Sequence, residues 1–476
     1  MIRAHQVATV REAERQLMAV LPPGTLMQRA ATGLTVACAQ RLGGVYGSRV
    51  VLLVGGGDNG ADALWAGSLL ARRGALVTAV ATGRPVADAL AALLRAGGRV
   101  GTAAALDDAD LVVDGLVGIG GTGPLRPAAA WLAGQAAGPH VVAVDLPSGV
   151  DADTGAVHGV AVRAGLTVTF GTVKPGLLLG EGRLRAGTVQ LVDIGLALPP
   201  PALEALDPLD VALLLPAGEA ASDKYSRGVV GVAAGSATYT GAAVLAVGAA
   251  VRAGAGMVRF AGDSHAAEQV RTRWPEAVVT QARGAAVVDA GRVQAWVVGP
   301  GLGTDEEAAK TVQAVLAQDV PVLVDADALT LCAEHPQWLR HRSAPTLLTP
   351  HDREFARFGR DVGPDRLGAA RWLASELDVA VLLKGDATVV VAGGRARVGT
   401  TGSPLLATAG SGDVLSGATG ALLAQGLDVL DAASVAVHLH GRAGVLSASG
   451  ASTSASALLE AWPDAVREAR AGTMAR

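Results

Sequence analysis

The residues most suggestive of chemistry lie in "AGSGDVLSG" (409–417), where glycines precede a single acid and a helix is expected to begin. Glycine-rich turns leave backbone N–H groups free to face an anion at a helix N-terminus. Asp413 would lie beside that anion, where it could take a proton from a hydroxyl group. A base next to an anion site is what phosphoryl transfer to an alcohol requires.

Other polar residues of the C-terminal half directly follow short apolar runs. "KGDAT" (384–388) offers a cation and a hydroxyl group that suit the phosphates or ribose of a nucleotide. His351 follows "PTLLTP" and could contact a ligand or cap the helix that begins "DREF". Asp325 and Asp327 in "DADAL" suit a metal-associated role or a strand-end helix cap.

A second group of candidates lies in the N-terminal half. "DNGADAL" (58–64) places Asp58, Asn59 and Asp62 directly after the apolar run "VVLLVGGG". Asp145 follows another such run, "HVVAV", and is a candidate for acid–base chemistry. Ligands of open α/β sheets bind outside the carboxyl ends of the strands, so these residues are expected to meet at one edge of a sheet.

The same edge offers groups for a phosphate and for a cation. "GIGGTGP" (118–124) could lay backbone N–H groups against a phosphate. Oxygen atoms of Asn59, Asp114 and the Ser148 region could surround a hard cation. The Gly-x-Gly-x-x-Gly fingerprint of dinucleotide dehydrogenases is absent from its proper place, which argues against plain hydride transfer.

The elements that must position these residues are alternating strands and helices. Ala/Leu stretches of helical period separate several of the β-branched runs, which predicts βαβ units and mostly parallel sheets in both halves. The expected strands are 49–54, 75–80, 110–115, 140–146, 166–171 and 189–195, then 228–236, 256–262, 295–301, 320–327, 345–351, 379–385 and 387–394.

The chain is too long for a single hydrophobic core, since it has 476 residues. A Pro-rich stretch, "LALPPPALEALDPLD" (196–210), lacks a strand pattern and is typical of an interdomain connection. We therefore expect a first domain at 1–205, a linker at 206–220 and a second domain at 221–476.

Composition excludes several classes of partner. The net charge is −4 and only 3% of residues are aromatic, which argues against binding to nucleic acid or to an anionic membrane. The apolar stretch at 241–258 contains Arg252 and is better explained as a buried helix leading into a strand. Cys38 and Cys332 are expected to be reduced core thiols, and the protein is expected to be cytoplasmic.

Several of these motifs together are highly specific. "GGDNGADAL", "VDGLVGIGGTGPLRP" and "VVAVDLPSGVDADTG" resemble the NAD(P)H-hydrate epimerase domain. "DKYSRGVVGVAAGS", "VVGPGLG", "LLTPHDREF", "LLKGDATVV" and "ATAGSGDVLSG" resemble the ADP-dependent NAD(P)H-hydrate dehydratase. The resemblance covers nearly the whole chain. It implies a Rossmann-like three-layer α/β/α domain followed by a ribokinase-like α/β domain.

The resemblance implies repair of nicotinamide nucleotides. NADH and NADPH hydrate slowly at the nicotinamide ring to R and S forms, NADHX and NADPHX. The epimerase interconverts these forms, and the dehydratase removes water from the S form at the expense of ADP, giving AMP and phosphate. The implied cofactors are K⁺ at the epimerase site and Mg²⁺ with ADP at the dehydratase site. The family also tends to form homo-oligomers.

The resemblance also implies the residues of each site. In the epimerase, the hydrate would contact Asp58, Asn59, Gly60, Ala61, Asp62, Gly118, Ile119, Gly120, Gly121, Thr122, Gly123, Pro124 and Asp145. The K⁺ ion would be held by Asn59, Asp114 and Ser148. In the dehydratase, the hydrate would contact Ala243, Gly301, His351 and Asp413, and the nucleotide would contact Lys384, Gly385, Asp386, Ala387, Thr388 and Gly412. Asp413 would deprotonate the hydrate hydroxyl as phosphate arrives.

Two other functions remain open. A ribokinase-type small-molecule kinase would share Asp413 and the anion site, but such kinases lack the N-terminal half. Alternatively, the N-terminal half could be a catalytically silent module beside an active dehydratase. Asp58 and Ala61 motivate this second alternative, because the family usually has Asn and Gly there. Asp58 adds negative charge near a pyrophosphate, and Ala61 adds a methyl group where close backbone approach is expected.

Overall fold

Strands and helices alternate along the chain, as the recurring apolar runs predict. A computed structural model describes residues 1–217, 223–340 and 342–471. The chain divides into two units. The N-terminal unit is Arg3–Leu203, and the C-terminal unit runs from Glu204 onward and includes Met1 and Ile2.

The N-terminal unit is a parallel sheet with helices on both faces. Its strands run side by side in the order β4-β3-β2-β5-β6-β7-β8, and every neighbouring pair is parallel. The first elements of the chain are β1 (Ile2–Ala4), α1 (Val7–Met18), α2 (Thr25–Leu42), β2 (Arg49–Val54), α3 (Asp58–Arg72), β3 (Leu76–Ala81), α4 (Ala87–Arg95), β4 (Arg99–Val100), β5 (Leu111–Gly115), α5 (Pro127–Gln135), β6 (Ala137–Val144), β7 (Arg163–Phe170), α6 (Gly180–Ala186) and β8 (Thr188–Val192).

The order of these strands fixes where a ligand can bind. Strand β2 has β3 on one side and β5 on the other, so the direction of winding reverses between β2 and β5. The helices that follow β2 and β5, α3 and α5, pack on opposite faces of the sheet, which opens a crevice at the carboxyl ends of these strands. Two hydrophobic clusters, one on each face, hold the sheet, which explains why β2 and β5 are apolar along nearly their whole length.

The C-terminal unit is also α/β, with a larger sheet. Its strands follow the order β9-β18-β17-β16-β15-β14-β13-β10-β11-β12. Its elements are β9 (Leu203–Ala205), α7 (Pro208–Leu214), β10 (Val229–Ala233), α8 (Thr240–Arg252), β11 (Met257–Gly262), α9 (Ser264–Arg273), β12 (Val278–Gln281), β13 (Ala295–Val298), α10 (Glu306–Leu316), β14 (Val322–Val324), α11 (Asp327–Glu334), β15 (Thr346–Leu348), α12 (Asp352–Ala356), α13 (Arg366–Leu377), β16 (Ala380–Leu383), β17 (Val389–Ala392), β18 (Arg395–Val398), α14 (Ser411–Ala424), α15 (Val429–Ala448) and α16 (Ala455–Arg470).

Strands β10 to β16 are parallel, and β16, β17 and β18 are antiparallel neighbours. Winding reverses at β10, which lies between β11 and β13. The apolar stretch at 241–258 is α8 leading into β11, as predicted. Within the described ranges, no helix has the length and hydropathy needed to cross a membrane.

The segment predicted to be a linker at 206–220 contains an ordered element. Asp207 caps helix α7, and its side chain and that of Asp210 exchange hydrogen bonds with each other's backbone N–H groups. A capping box and a proline at the first helical position explain why a Pro-rich sequence forms a helix here. Residues 218–220 of the predicted linker and residues 221–222 of the predicted second domain lie outside the described ranges. Cys38 and Cys332 are buried and free, as expected.

Candidate active sites

Asp145 directly follows β6 at the carboxyl edge of the N-terminal sheet. Its φ is 66°, a conformation that non-glycine residues rarely adopt and that the surrounding structure must enforce. Its Oδ1 accepts hydrogen bonds from Thr169 Oγ1 at 3.1 Å and from the Phe170 N–H at 3.3 Å. The carboxylate is thereby held in one orientation at the crevice.

A buried lysine completes this arrangement. Lys174 is only 1% exposed, and its Nζ lies 2.5 Å from Asp145 Oδ1. The same ammonium donates to Thr169 Oγ1 at 3.0 Å and to the Phe170 carbonyl at 2.9 Å. Its three hydrogens are therefore all used within the protein. Lys174 balances and orients the Asp145 carboxylate, and it has no hydrogen left with which to contact a substrate.

Asp62 lies on the first turns of α3, beside this ion pair. It is 8% exposed, and its Oδ1 has no hydrogen-bond partner among the described residues. Burial, followed by the charges of Asp145, Asp58 and Glu14, raises the pKa of Asp62 well above its usual value. Burial also raises the pKa of Glu14. The crevice therefore contains carboxyl groups that hold protons more tightly than usual.

Three residues offer oxygen atoms suited to a hard cation. Asp114 is fully buried and accepts hydrogen bonds from the Ser148 N–H at 2.8 Å and from Ser148 Oγ at 2.7 Å. Burial raises the pKa of Asp114 to about 6 in spite of these bonds. Asn59 donates from Nδ2 to the Val144 carbonyl at 3.0 Å, which leaves Oδ1 as an oxygen donor. A buried carboxylate with amide and hydroxyl oxygens nearby fits a K⁺ ion.

The close backbone approach in this site is at Gly60 rather than at Ala61. A Cβ built on Gly60 would lie 2.2 Å from the Gly55 carbonyl oxygen. Ala61 is 2% exposed and belongs to the hydrophobic core, so the concern that its methyl group crowds the site is wrong. Asp58 is exposed in the first turn of α3, where a carboxylate interacts favourably with the helix dipole.

The loop 118–124 lies at the same edge of the sheet. It follows β5, and Gly118 lies so close to Asn59 that a Cβ there would approach Oδ1 to 2.6 Å. The Gly121 N–H bonds to the Gly118 carbonyl at 3.0 Å, and the segment 122–124 is exposed. The structure thus brings this loop, the start of α3 and Asp145 together at one crevice.

In the C-terminal unit, Asp413 lies in the first turn of α14. Gly410 precedes the helix with a φ of 84°, a conformation that glycine adopts without strain. The N–H groups of Gly412 and Asp413 are among the first of the helix and have no intrahelical acceptor. Burial, and to a smaller extent the charge of Asp325, raises the pKa of Asp413 to about 7. A carboxylate of this pKa next to free N–H groups can act as a base near neutral pH.

A buried ion-pair network lies beside Asp413. Lys384 Nζ is 2.7 Å from Asp325 Oδ1 and 3.5 Å from Glu354 Oε2. Ser416 Oγ, from α14, donates to Asp325 Oδ2 at 2.7 Å. Burial alone would lower the pKa of Lys384, but the charges of Asp325 and Glu354 outweigh it and raise that pKa. Lys384 is therefore a fixed positive charge, and its Nζ lies 3.7 Å from a Cβ built on Gly412.

His351 caps a helix, one of the two roles considered for it. Its Nδ1 accepts from the Arg353 and Glu354 N–H groups at 3.1 and 3.2 Å, and Glu354 Oε2 accepts from the His351 N–H at 2.8 Å. The side chain is 51% exposed and its Nε2 lies 3.6 Å from Glu354 Oε1, so contact of His351 with a ligand stays a prediction. His440 Nε2 lies 2.9 Å from the Ser411 carbonyl, and burial lowers the pKa of His440 to about 4. The neutral ring donates to that carbonyl at the base of the Asp413 turn.

The other residues predicted for the dehydratase site lie in a turn after β13, on helix α8 and in the turn between β16 and β17. Gly301 follows β13 with a φ of 60°, and a Cβ there would lie 2.8 Å from that of Ala242. Ala243 on α8 has none of its surface exposed, so its methyl group does not line an open pocket. Gly385, Asp386, Ala387 and Thr388 form the turn between β16 and β17, which Thr388 Oγ1 closes by donating to the Gly385 carbonyl at 3.0 Å.

Sequence reasoning did not identify Glu14, Glu354 or Ser416 as parts of the sites. Glu14 lies on α1, far from the recognised motifs, and nothing in its local sequence signals its position. Glu354 and Ser416 each follow a recognised residue by three positions, His351 and Asp413. Helical spacing of i to i+3 places such residues on the same face and could have identified them.

The two halves match known family models. One described as "YjeF-related protein N-terminus" matches residues 23–176, and one described as "NAD(P)H-hydrate dehydratase" matches residues 230–463. A protein of Mycobacterium leprae named bifunctional NAD(P)H-hydrate repair enzyme Nnr is 51% identical over 456 residues, covering 93% of this chain and 94% of that protein. A protein of the same name from Mycobacterium tuberculosis is 52% identical, covering 90% of each chain.

Solved structures resemble the C-terminal unit. An ADP/ATP-dependent NAD(P)H-hydrate dehydratase of Bacillus subtilis, co-crystallised with ATP and Mg²⁺, is 28% identical with a TM-score of 0.51. The match covers 56% of this chain and 98% of that one. A ribokinase-like superfamily protein of Enterococcus faecalis matches with 25% identity and a TM-score of 0.52, covering 57% and 98%. The C-terminal unit therefore has the ribokinase-like fold.

Proposed function

The chain belongs to the family of bifunctional NAD(P)H-hydrate repair enzymes, and from this premise we propose how its residues carry out the two reactions. The enzyme interconverts the R and S hydrates of NADH and NADPH. It dehydrates the S form with ADP, which gives NAD(P)H, AMP and phosphate. The epimerase activity belongs to the N-terminal unit and the dehydratase activity to the C-terminal unit.

In dehydration, Asp413 takes the proton of the hydrate hydroxyl. The hydroxyl oxygen then attacks the terminal phosphorus of ADP, and the bond to AMP breaks. The phosphate leaves with the electron pair of its bond to carbon, and loss of a proton from the neighbouring carbon restores the double bond. Support for this role comes from the burial of Asp413, from its pKa of about 7, and from the free N–H groups beside it.

Lys384 and the start of α14 bind the phosphates of ADP. Lys384 is held by Asp325 and Glu354, so its charge is fixed in place before the nucleotide arrives. Gly412 leaves room for a phosphate to approach the backbone, since a Cβ there would meet only Lys384. Mg²⁺ binds substrate phosphates and one or two carboxylates, and the acids around Asp413 fit this arrangement. When bound, the ion neutralises phosphate charge.

In epimerisation, Asp145 is the acid–base residue. Lys174 balances its charge and fixes Oδ1, which directs the other oxygen, Oδ2, to the hydrate. The loop 118–124 and the start of α3 bind the pyrophosphate and ribose. Asn59, Asp114 and Ser148 would hold K⁺, which would supply positive charge beside the anionic substrate.

The observation that carries the dehydratase proposal is the position of Asp413 beside Lys384 and the free N–H groups of α14. The test supplies purified enzyme with hydrated NADH and ADP and follows the absorbance of reduced nicotinamide. We expect recovery of absorbance with one AMP and one phosphate per NADH. Phosphorylation of a vitamin or sugar alcohol by ATP, with no recovery of NADH, would instead support a kinase.

A further inference from the structure

One buried carboxyl of the N-terminal unit has no role in the mechanism above. Asp62 is 8% exposed, and its Oδ1 has no hydrogen-bond partner among the described residues. Burying an ionised carboxylate without partners is costly, whereas burying the neutral acid costs much less. Asp62 is therefore held in a form in which it can donate a proton, at the crevice where the hydrate is expected to bind.

The surroundings of Asp62 contain more acids than bases. In addition to burial, the charges of Asp145 at the end of β6, of Asp58 on the same helix and of Glu14 on α1 all act on Asp62 and raise its pKa. Lys174 forms its ion pair with Asp145, whose Oδ1 lies 2.5 Å from Lys174 Nζ. The negative charges of these acids oppose ionisation of Asp62. Asp145 is paired with Lys174, whereas Asp62 Oδ1 has no hydrogen-bond partner among the described residues, which favours the neutral acid at Asp62.

We propose that Asp62 is the proton donor of epimerisation and that Asp145, held by Lys174, is the proton acceptor. This inference rests on the proposed epimerase function of the N-terminal unit. It assigns opposite tasks to two carboxyls that differ in their environment: Asp62 is buried and unpartnered, and Asp145 is held by Lys174 and Thr169.

The proposed steps balance in atoms and charge. Water adds to the enamine of reduced nicotinamide so that the hydroxyl is bonded to the carbon beside the ring nitrogen. Asp62 gives its proton to this hydroxyl, which leaves as water while the nitrogen lone pair forms a double bond to carbon. Water adds to the other face of the planar carbon, and its proton passes to Asp145. The reverse reaction exchanges the two roles.

The test measures enzyme-dependent interconversion of the R and S hydrates by NMR, without ADP, across pH. Wild type should give a bell-shaped profile, since activity requires a protonated donor, Asp62, and an ionised acceptor carboxylate. Asp62→Asn should lower the rate about 10²-fold or more and remove the alkaline limb. Asp62→Glu, which keeps an acid at the site, should recover part of the rate and the limb. The exposed Asp88→Asn on α4 is the matched control and should behave as wild type.

Glu14, which Arg11 also faces, is the rival proton donor. If Glu14→Gln removed the alkaline limb while Asp62→Asn retained it, the assignment to Asp62 would be overturned. A wild-type profile without an alkaline limb would overturn it as well, whether or not the variants fold. Failure of the wild type to interconvert the hydrates at all would instead refute the epimerase function, so the two failures are distinguishable. Dehydratase turnover of each preparation measures its content of active protein.

Discussion

At the scale of single residues, environment separates acids that the sequence alone shows as equivalent. Asp325 and Asp413 both follow apolar or glycine-rich segments and lie near Lys384. The pKa of Asp325 is lowered, since burial is outweighed by the charge and hydrogen bond of Lys384 and by the hydrogen bond from Ser416. The pKa of Asp413 is raised to about 7 by burial and by the charge of Asp325. Asp325 therefore stays charged and positions Lys384, whereas the raised pKa of Asp413 suits its proposed role as the base.

This difference predicts the pH dependence of dehydration. Asp413 acts as a base and must be ionised, so kcat/KM should fall as the pH decreases below about 7. Initial rates of NADH recovery between pH 5 and 9, at subsaturating hydrate, measure the profile. A rate that stays constant down to about pH 5 would contradict a base with a raised pKa.

The same pKa predicts an effect on stability. Its folded-state value of about 7 lies above the usual 3.8, so the folded protein binds this proton more tightly than the unfolded chain. Ionisation of Asp413 therefore reduces the free energy of unfolding as the pH rises from about 4 through 7. Asp413→Asn should unfold at a higher temperature than wild type at pH 8, and this difference should shrink towards pH 4. Differential scanning calorimetry checks it, and an equal difference at both pH values would contradict the assignment.

At the scale of elements, many candidate site residues follow the carboxyl ends of strands, and these strand ends were predictable from the sequence. Apolar runs followed by Asp145 or Lys384 correctly located strands β6 and β16. The expected strand 387–394 contains β17, but its antiparallel direction was not predicted, because apolar periodicity does not reveal strand direction. Strand β18 was missed. Helix α7 was not predicted within the segment expected to be a linker, because its proline-rich composition concealed a capping box.

Alanine substitutions at two glycines of α14, Gly412 and Gly417, should separate ADP binding from helix packing. A Cβ on Gly417 would lie 2.0 Å from the Ala246 carbonyl of α8, so Gly417→Ala must move the two helices apart. Its melting temperature should fall markedly, with a loss of about 1–3 kcal/mol from overpacking. Gly412→Ala meets only Lys384 Nζ at 3.7 Å, so it should unfold like wild type but bind ADP more weakly, because the methyl group occupies the phosphate position. Thermal unfolding and calorimetric titration measure both effects; equal stability of the two variants would refute the packing argument.

At the scale of the whole molecule, one chain holds both activities that complete repair requires. The sequence predicted this pairing, since the motifs of both halves are present in order. It did not reveal the role of Glu14 or the buried ion pair between Lys174 and Asp145, because these residues are distant in the chain from the residues they interact with. The positive φ of Asp145 was equally unpredictable, since tertiary contacts impose it.

The pairing predicts partial repair when the epimerase fails. Asp145→Asn should leave Lys174 buried without its charged partner and stop enzymatic epimerisation. With ADP and a mixture of R and S hydrates, wild type should restore all of the NADH in one phase. The variant should restore the S portion quickly and the R portion only at the spontaneous rate. Absorbance at the reduced-nicotinamide band follows both phases, and rapid, complete recovery by the variant would argue against Asp145.

The most direct test of the account is the turnover of Asp413→Asn with S hydrate and ADP. We predict a loss on the order of a thousandfold, since a positioned base contributes about 10² to 10⁴. ADP affinity, measured by calorimetry, should stay near that of wild type, because Lys384 and the N–H groups of α14 are retained. Turnover near the wild-type rate, with AMP and phosphate formed in equal amounts, would contradict the claim that Asp413 is the base.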